Sequence, residues 1–213
     1  METTEKREEY TDFFRYTRLG LINYGQNEEL LIKVPHRKFL DLAIVMLRAE
    51  RYDPAPSECE YVTADDLVRL GISEAKAFTK AKLSGQDLGG IYFGTVVESL
   101  EYLTRQKVPF AVPDMYILSN MDFCYGAASM TYGGLLSEIY KYIGTDFYVI
   151  PSSVNELIIV KDYGGEDYAD YLQNTLMAVN RLEESDEGYL SDNIYFYDHK
   201  KDALTLHFGQ NVN

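Results

Sequence analysis

The sequence predicts an α+β fold, a mostly antiparallel sheet backed by helices, and three observations lead there. From residue 115 onward, short β-branched and aromatic runs alternate with two amphipathic stretches in the order β-α-β-β-α-β-β. The runs 147–150 and 156–160 flank Pro151-Ser152-Ser153-Val154-Asn155, which is too short for a crossover, so that pair is antiparallel. Before residue 110 the pattern is helix-rich around one buried strand pair.

Residues 5–23 read as one amphipathic helix, with Tyr10, Phe13, Phe14 and Leu21 near one stripe and a break at Gly25 and Asn27. Residues 28–34 allow another turn or two before Pro35. Residues 39–48 read as a strand buried on both faces, followed by a turn at Asp53-Pro54-Ala55-Pro56, with Tyr61-Val62 ending its partner. Thr63 with Asp66 forms a capping box, Gly71 suits the stop, and Ser73 caps 74–83. Gly85, Gly89 and Gly90 read as a loop before a helix over 92–106 with Val96, Val97, Leu100 and Leu103 inward. Pro109 and Pro113 mark 107–114 as the boundary between an N-terminal lobe, 1–110, and a C-terminal lobe, 111–213, with one continuous domain as the alternative.

Beyond it the expected elements are a strand at 115–119, a short segment around Gly126, a helix at 135–143, the 147–160 hairpin, a helix at 166–182, and strands at 194–197 and 203–208. In the long helix Tyr168, Leu172, Thr175, Leu176, Val179 and Leu182 keep three- and four-residue steps. If Asp198 pairs with Ala203 in the last hairpin, His207 faces Ile194, and Tyr195, Tyr197, Leu204 and Leu206 share the core face.

Composition bounds the function. The 213 residues carry 20 Lys plus Arg against 34 Asp plus Glu, a net charge of -14, which argues against binding nucleic acid or an anionic membrane. The first ten residues hold no apolar h-region, so no secretory leader is expected. The longest aliphatic run, 42–47, is far short of the roughly 20 residues of a membrane span. Cys59 and Cys124 read as reduced thiols, which points to a cytoplasmic protein. The acids concentrate at 162–192, where Asp162, Glu166, Asp167, Asp170, Glu183, Glu184, Asp186, Glu187 and Asp192 meet one base, Arg181.

Candidate chemistry is sparse. The helix-turn-helix spacing of 63–83 puts Lys76, Lys80 and Lys82 on its second helix, but the whole-chain charge opposes DNA binding. The glycines lack phosphate-cradle spacings. Ser152 and Ser153 are tempting nucleophiles, yet strands flank them rather than the strand-to-helix turn of a nucleophile elbow, and no His is near in sequence. His199 and His207 fall about 10 Å or more apart in the hairpin register, so no shared metal is expected. Cys124 lacks an adjacent cation to activate it. Asp146 and Glu156 flank the hairpin as a possible acid–base pair. No cofactor is expected.

Three segments occur together: Leu21-Ile-Asn-Tyr24 with Lys33-Val-Pro-His36-Arg-Lys-Phe-Leu-Asp-Leu-Ala-Ile-Val45; Met115-Tyr-Ile-Leu-Ser-Asn120 with Gly126-Ala-Ala128; and Asp146-Phe-Tyr-Val-Ile-Pro-Ser-Ser153 with Glu156-Leu-Ile-Ile159. With Leu190-Ser-Asp192 and Tyr195-Phe-Tyr197, they resemble an uncharacterised domain-of-unknown-function family of gut Gram-positive anaerobes and their mobile elements, over roughly 10–206. The resemblance implies no activity, substrate or catalytic residue. Members typically carry a further segment ahead of the part matching Tyr10. Many have His where this chain has Asn155, so an imidazole base at that place is absent here.

The expected function is therefore non-enzymatic binding of a basic protein surface through an acidic, tyrosine-bearing face, in an accessory or anti-defence role in a mobile element. The alternatives are a nucleic-acid mimic blocking a basic groove and a small serine-dependent hydrolase. The candidate binding residues are Asp162, Glu166, Asp167, Asp170, Glu183, Glu184, Asp186, Glu187, Asn120, Ser152, Ser153 and Asn155.

Overall fold

The structure is a computed structural model that describes residues 4–49, 59–109, 114–181 and 188–207. The fold is α+β, two antiparallel sheets packed with helices.

The first sheet corrects the opening helix. Helix α1 (Thr4–Arg15) stops early, and strand β1 (Thr17–Asn23) follows. It pairs over its whole length with β3 (Leu42–Arg48), so tertiary pairing overrides a helical reading of Leu21. Gly20 belongs to this pairing, because a Cβ there would lie 2.5 Å from the Leu47 side chain. Strands β2 (Arg37–Phe39) and β4 (Glu60–Tyr61) share the other edge of β3, and the short helix α2 (Glu28–Leu31) lies between β1 and β2. Burial is nearly continuous along β3, as expected of a strand covered on both faces. Leu42 and Met46 enter the main core, while Ala43, Val45 and Leu47 pack with Leu31 and Val34. The expected turn at 53–56 lies outside the described residues.

Helix α3 (Ala64–Leu70) carries the Thr63–Asp66 capping box and ends at Gly71 with φ 64°. Burial pushes the Asp66 carboxyl up, but hydrogen bonds from Thr63 and Arg69 outweigh it and hold it below the usual range. Helix α4 (Glu74–Gly89) runs past its expected end. Gly85 and Gly89 are places of close approach rather than loop residues: a Cβ would sit 3.2 Å from the Arg18 Cβ at one and 3.2 Å from the Asn120 Cβ at the other. The helix expected from residue 92 begins later. Tyr92–Thr95 is strand β5, and α5 (Val96–Thr104) starts from a Thr95–Glu98 capping box, a signal the sequence itself carries.

From residue 115 onward the second sheet follows the expected order, and β5 adds an edge strand that was expected as helix. It comprises β5, β6 (Met115–Ser119), β7 (Phe147–Ile150), β8 (Leu157–Lys161), β9 (Tyr195–Asp198) and β10 (Ala203–Leu206), in spatial order β10-β9-β7-β8-β6-β5 with every pairing antiparallel. A 3-10 segment (Gly126–Thr131) and α6 (Leu135–Ile143) precede β7, and α7 (Glu166–Asn180) separates β8 from β9. Asp198 pairs with Ala203, as the register requires. Phe147, Val149, Leu157, Ile159, Tyr195 and Tyr197 face inward, with α6 and the first sheet. Tyr148, Ile150, Val160 and Phe196 face α7. The inner cluster draws on residues before and after Pro109, and β5 joins a sheet whose other strands follow it. In α7 the buried stripe is Ala169, Leu172 and Leu176, while Thr175 and Val179, expected inward, are exposed. Leu182 and Phe208 lie outside the described residues.

Candidate functional site

Four of the candidate residues meet where two loops are laced together. Asn120 closes its own turn, accepting from the Cys124 N–H at 3.1 Å and donating to the Cys124 carbonyl at 2.8 Å. Across from it, Asn155 Oδ1 accepts from the Tyr125 N–H at 3.0 Å, and its carbonyl accepts from Ser119 Oγ at 2.7 Å. Ser153 Oγ accepts from the Asn155 N–H at 3.1 Å. Ser152 Oγ lies 3.5 Å from Glu156 Oε1, the long limit of a hydrogen bond. Gly126 lets the loops close: a Cβ there would lie 2.1 Å from Ser119 Oγ and 2.6 Å from both the Asn120 nitrogen and the Asn155 carbonyl oxygen. The polar groups of Asn120, Ser153 and Asn155 are thus engaged in holding backbone.

Beneath this lacing lies a charge that sequence reading missed. Arg18, at 4% exposure, donates from Nη1 to the Cys124 carbonyl at 3.3 Å and stands 4.0 Å from Asp122 Oδ2. Arg18 Nε and Asp122 Oδ2 make no hydrogen bond among the described residues. Burial pushes the Asp122 carboxyl up despite the opposing guanidinium. Burial likewise raises Tyr125 to about 12, with Cys59 and Cys124 adding to it. No disulfide joins the two cysteines. An Asp whose folded pKa is raised contributes stability that is fully present below its ordinary value and lost as pH rises through the folded value. Asp122→Asn is therefore expected to be more stable than wild type at neutral pH, with the gain vanishing in acid. Urea midpoints across pH measure this, and an equal difference at all pH values would contradict it.

The histidines go elsewhere. His199 Nδ1 meets Asp146 Oδ1 at 2.8 Å while its ring stacks on Tyr140 at 4.1 Å, and His207 Nε2 meets Asp170 Oδ1 at 3.3 Å. His36 Nδ1 lies 3.0 Å from the Val34 carbonyl. Neither serine is bonded to an imidazole among the described residues. Asp146 and Glu156 sit at opposite ends of the β7–β8 hairpin, roughly 20 Å apart at strand rise, so they form no acid–base pair. Among the described residues, Asp146, Asp198 and His199 place one ligand atom each within 4.8 Å of the others. Asp198 already holds the Lys201 ammonium at 2.8 Å and two backbone N–H groups, so a metal ion would compete with bonds already made.

The acidic candidates lie on the other side of the second sheet, on and before α7. Asp167 is exposed on its outer stripe, one turn from Tyr171, which is 64% exposed. Tyr163, 65% exposed, bonds Asp114, which also holds Lys161 at 2.6 Å. Asp162 accepts from the Gly164 N–H, and Asp170 is the His207 partner. The side chain of Glu166, and Glu183, Glu184, Asp186 and Glu187 altogether, lie outside the described residues.

A third polar cluster ties the two sheets together. Asp41, in the β2–β3 turn, accepts from Tyr195 OH at 2.8 Å, Asn193 Nδ2 at 3.0 Å and Ser191 Oγ. Asn23 Nδ2 donates to the Leu190 carbonyl at 2.7 Å. The Leu190-Ser-Asp192 and Phe39-Leu-Asp41 segments are therefore two halves of one contact.

These features define a two-sheet α+β protein with polar locks between its layers and an acidic, aromatic outer helix. The chain belongs to a family of unknown function, DUF5688, whose family model matches residues 2–199. No curated protein and no solved structure matches it. No helix among the described residues is long and apolar enough to cross a membrane.

Proposed function

We propose that this chain is a non-enzymatic binding protein whose α7 face docks on a basic protein surface. The observation that carries the reading is the outward placement of Tyr171 near Asp167 on α7, and of Tyr163 ahead of the helix, while Tyr168, Ala169, Leu172 and Leu176 pack on the sheet beneath. Tyrosine offers a partner large apolar area and one hydrogen bond at little entropic cost, and acids steer a basic partner. Arg181 is the one base in the sequence between 162 and 192, and Lys161 is taken by Asp114. An accessory or anti-defence role in a mobile element is the setting that the family resemblance suggests for such a surface. The bonds already made by the three histidines favour binding over serine hydrolysis.

The test is retention of lysate proteins on the immobilised chain at low salt, beside an Asp167→Asn/Tyr171→Ala variant. Wild type is expected to retain a basic protein that the variant releases, with retention falling steeply as salt rises. Equal retention by both, or none by either, would overturn the reading.

A further inference from the structure

On the opposite side of the second sheet from α7, the outer flank of α4 borders a concavity of about 490 Å³ formed with β1 and the β2–β3 hairpin. Its floor is apolar: Leu19 from β1, Ile44 from β3 and Phe78, itself 2% exposed, from α4. Its charged lining is Arg37 and Lys82, with no acid, in a chain whose acids outnumber its bases by 34 to 20. Neither cation forms an ion pair with a carboxylate among the described residues. The Arg37 guanidinium instead lies 4.4 Å from the Phe78 ring centre, and the Lys82 ammonium 5.4 Å from that of Tyr132. Cations held over aromatic faces keep outward N–H groups to offer. The lining threonines spend their hydroxyls internally, Thr79 on the Ala75 carbonyl and Thr131 on the Ala128 carbonyl, which leaves the Gln86 carboxamide as the uncharged polar contact.

The geometry points to a binding site for a small organic anion, a carboxylate or its like on a flat apolar body of one or two rings. The volume falls in the range of small-ligand sites and suits such a body. The apolar part lies against Leu19, Ile44 and Leu83 beside the Arg37–Phe78 pair, while the anionic end takes charge-assisted hydrogen bonds from Arg37 and Lys82. This site stands apart from the α7 face, and its fate does not depend on that surface.

The test uses 2-naphthoate as the probe, followed by NMR of isoleucine and leucine methyl groups in the whole chain. Saturable shifts are expected at Leu19, Ile44 and Leu83, with the uncharged 2-naphthalenemethanol binding about ten-fold more weakly. Arg37→Gln and Lys82→Gln should each weaken 2-naphthoate about ten-fold, and Lys200→Gln, in the β9–β10 turn, should not. The comparison of the two probes on wild type needs no variant to fold. Equal affinity for both probes, shifts centred elsewhere, or no saturation at millimolar concentration would overturn the proposal.

Discussion

Replacing Asp41 with Ala is expected to lower stability by about 3–5 kcal/mol, read as a fall in the urea midpoint. The size follows from what the carboxylate leaves behind. Tyr195 is fully buried and Ser191 nearly so, and each donates a hydroxyl to Asp41. Without the acceptor, two donors stay out of water with nothing to bond. The Tyr195 hydroxyl already resists ionisation, because burial and the Asp41 charge both raise its pKa. A double variant, Asp41→Ala/Tyr195→Phe, should recover part of the loss, since it removes one stranded donor along with the missing acceptor. A change of about 0.5 kcal/mol, the size of an ordinary surface substitution, would mean that this contact does not hold the two sheets together.

The second large effect belongs to Gly126→Ala, expected to cost about 3 kcal/mol. The added methyl would meet backbone atoms of Asn120 and Asn155 at 2.6 Å, and backbone in two laced loops cannot step aside as a flexible side chain can. Relief requires parting the loops, which breaks the bond from Ser119 Oγ to Asn155 and that from the Ala127 N–H to the Val154 carbonyl at 3.2 Å. Gly133→Ala is the control. A Cβ there meets nothing within 4 Å, so thermal unfolding should show little change or a small gain. Similar losses at both positions would remove the steric argument.

The later half of the chain was legible because its signals were local. Gly144 after a strongly amphipathic helix, a five-residue loop between apolar runs, and the alternation Tyr195-Phe196-Tyr197 each fix a boundary or a face by themselves. Register in the last hairpin then followed from loop length, down to the bond from the His207 N–H to the Ile194 carbonyl. The opening segments were harder, because what decides them is distant. Thr17–Asn23 becomes a strand since Leu42–Arg48 waits to pair with it, and no window around Leu19 contains that fact. Gly85 and Gly89 resembled a loop because their reason, room for Arg18 and Asn120, lies far along the chain.

The polar clusters divide the same way. Asn120 and Asn155 stand out in the sequence, but nothing local shows that they spend their hydrogen bonds on neighbouring backbone. Arg18 stands in no motif, and Arg37, Asp41 and Lys82 occur only within longer runs that assign them no role of their own, so three-dimensional neighbours give all four their meaning. The acidic run was plain in composition, whereas the exposure of Tyr163 and Tyr171 beside it depended on which residues α7 turns to the sheet.

The Asp41 contact also bears on the order of events during synthesis. Tyr195 and Tyr197 are the largest fully buried side chains among the described residues, and both arrive on β9, after β7, with which it pairs. A nascent polypeptide halted before that strand would hold a half-built interior with an anionic hub lacking its donors, and it would present open β-edges to other chains. Ribosome-bound intermediates of this protein should therefore depend on chaperones until their final strands emerge.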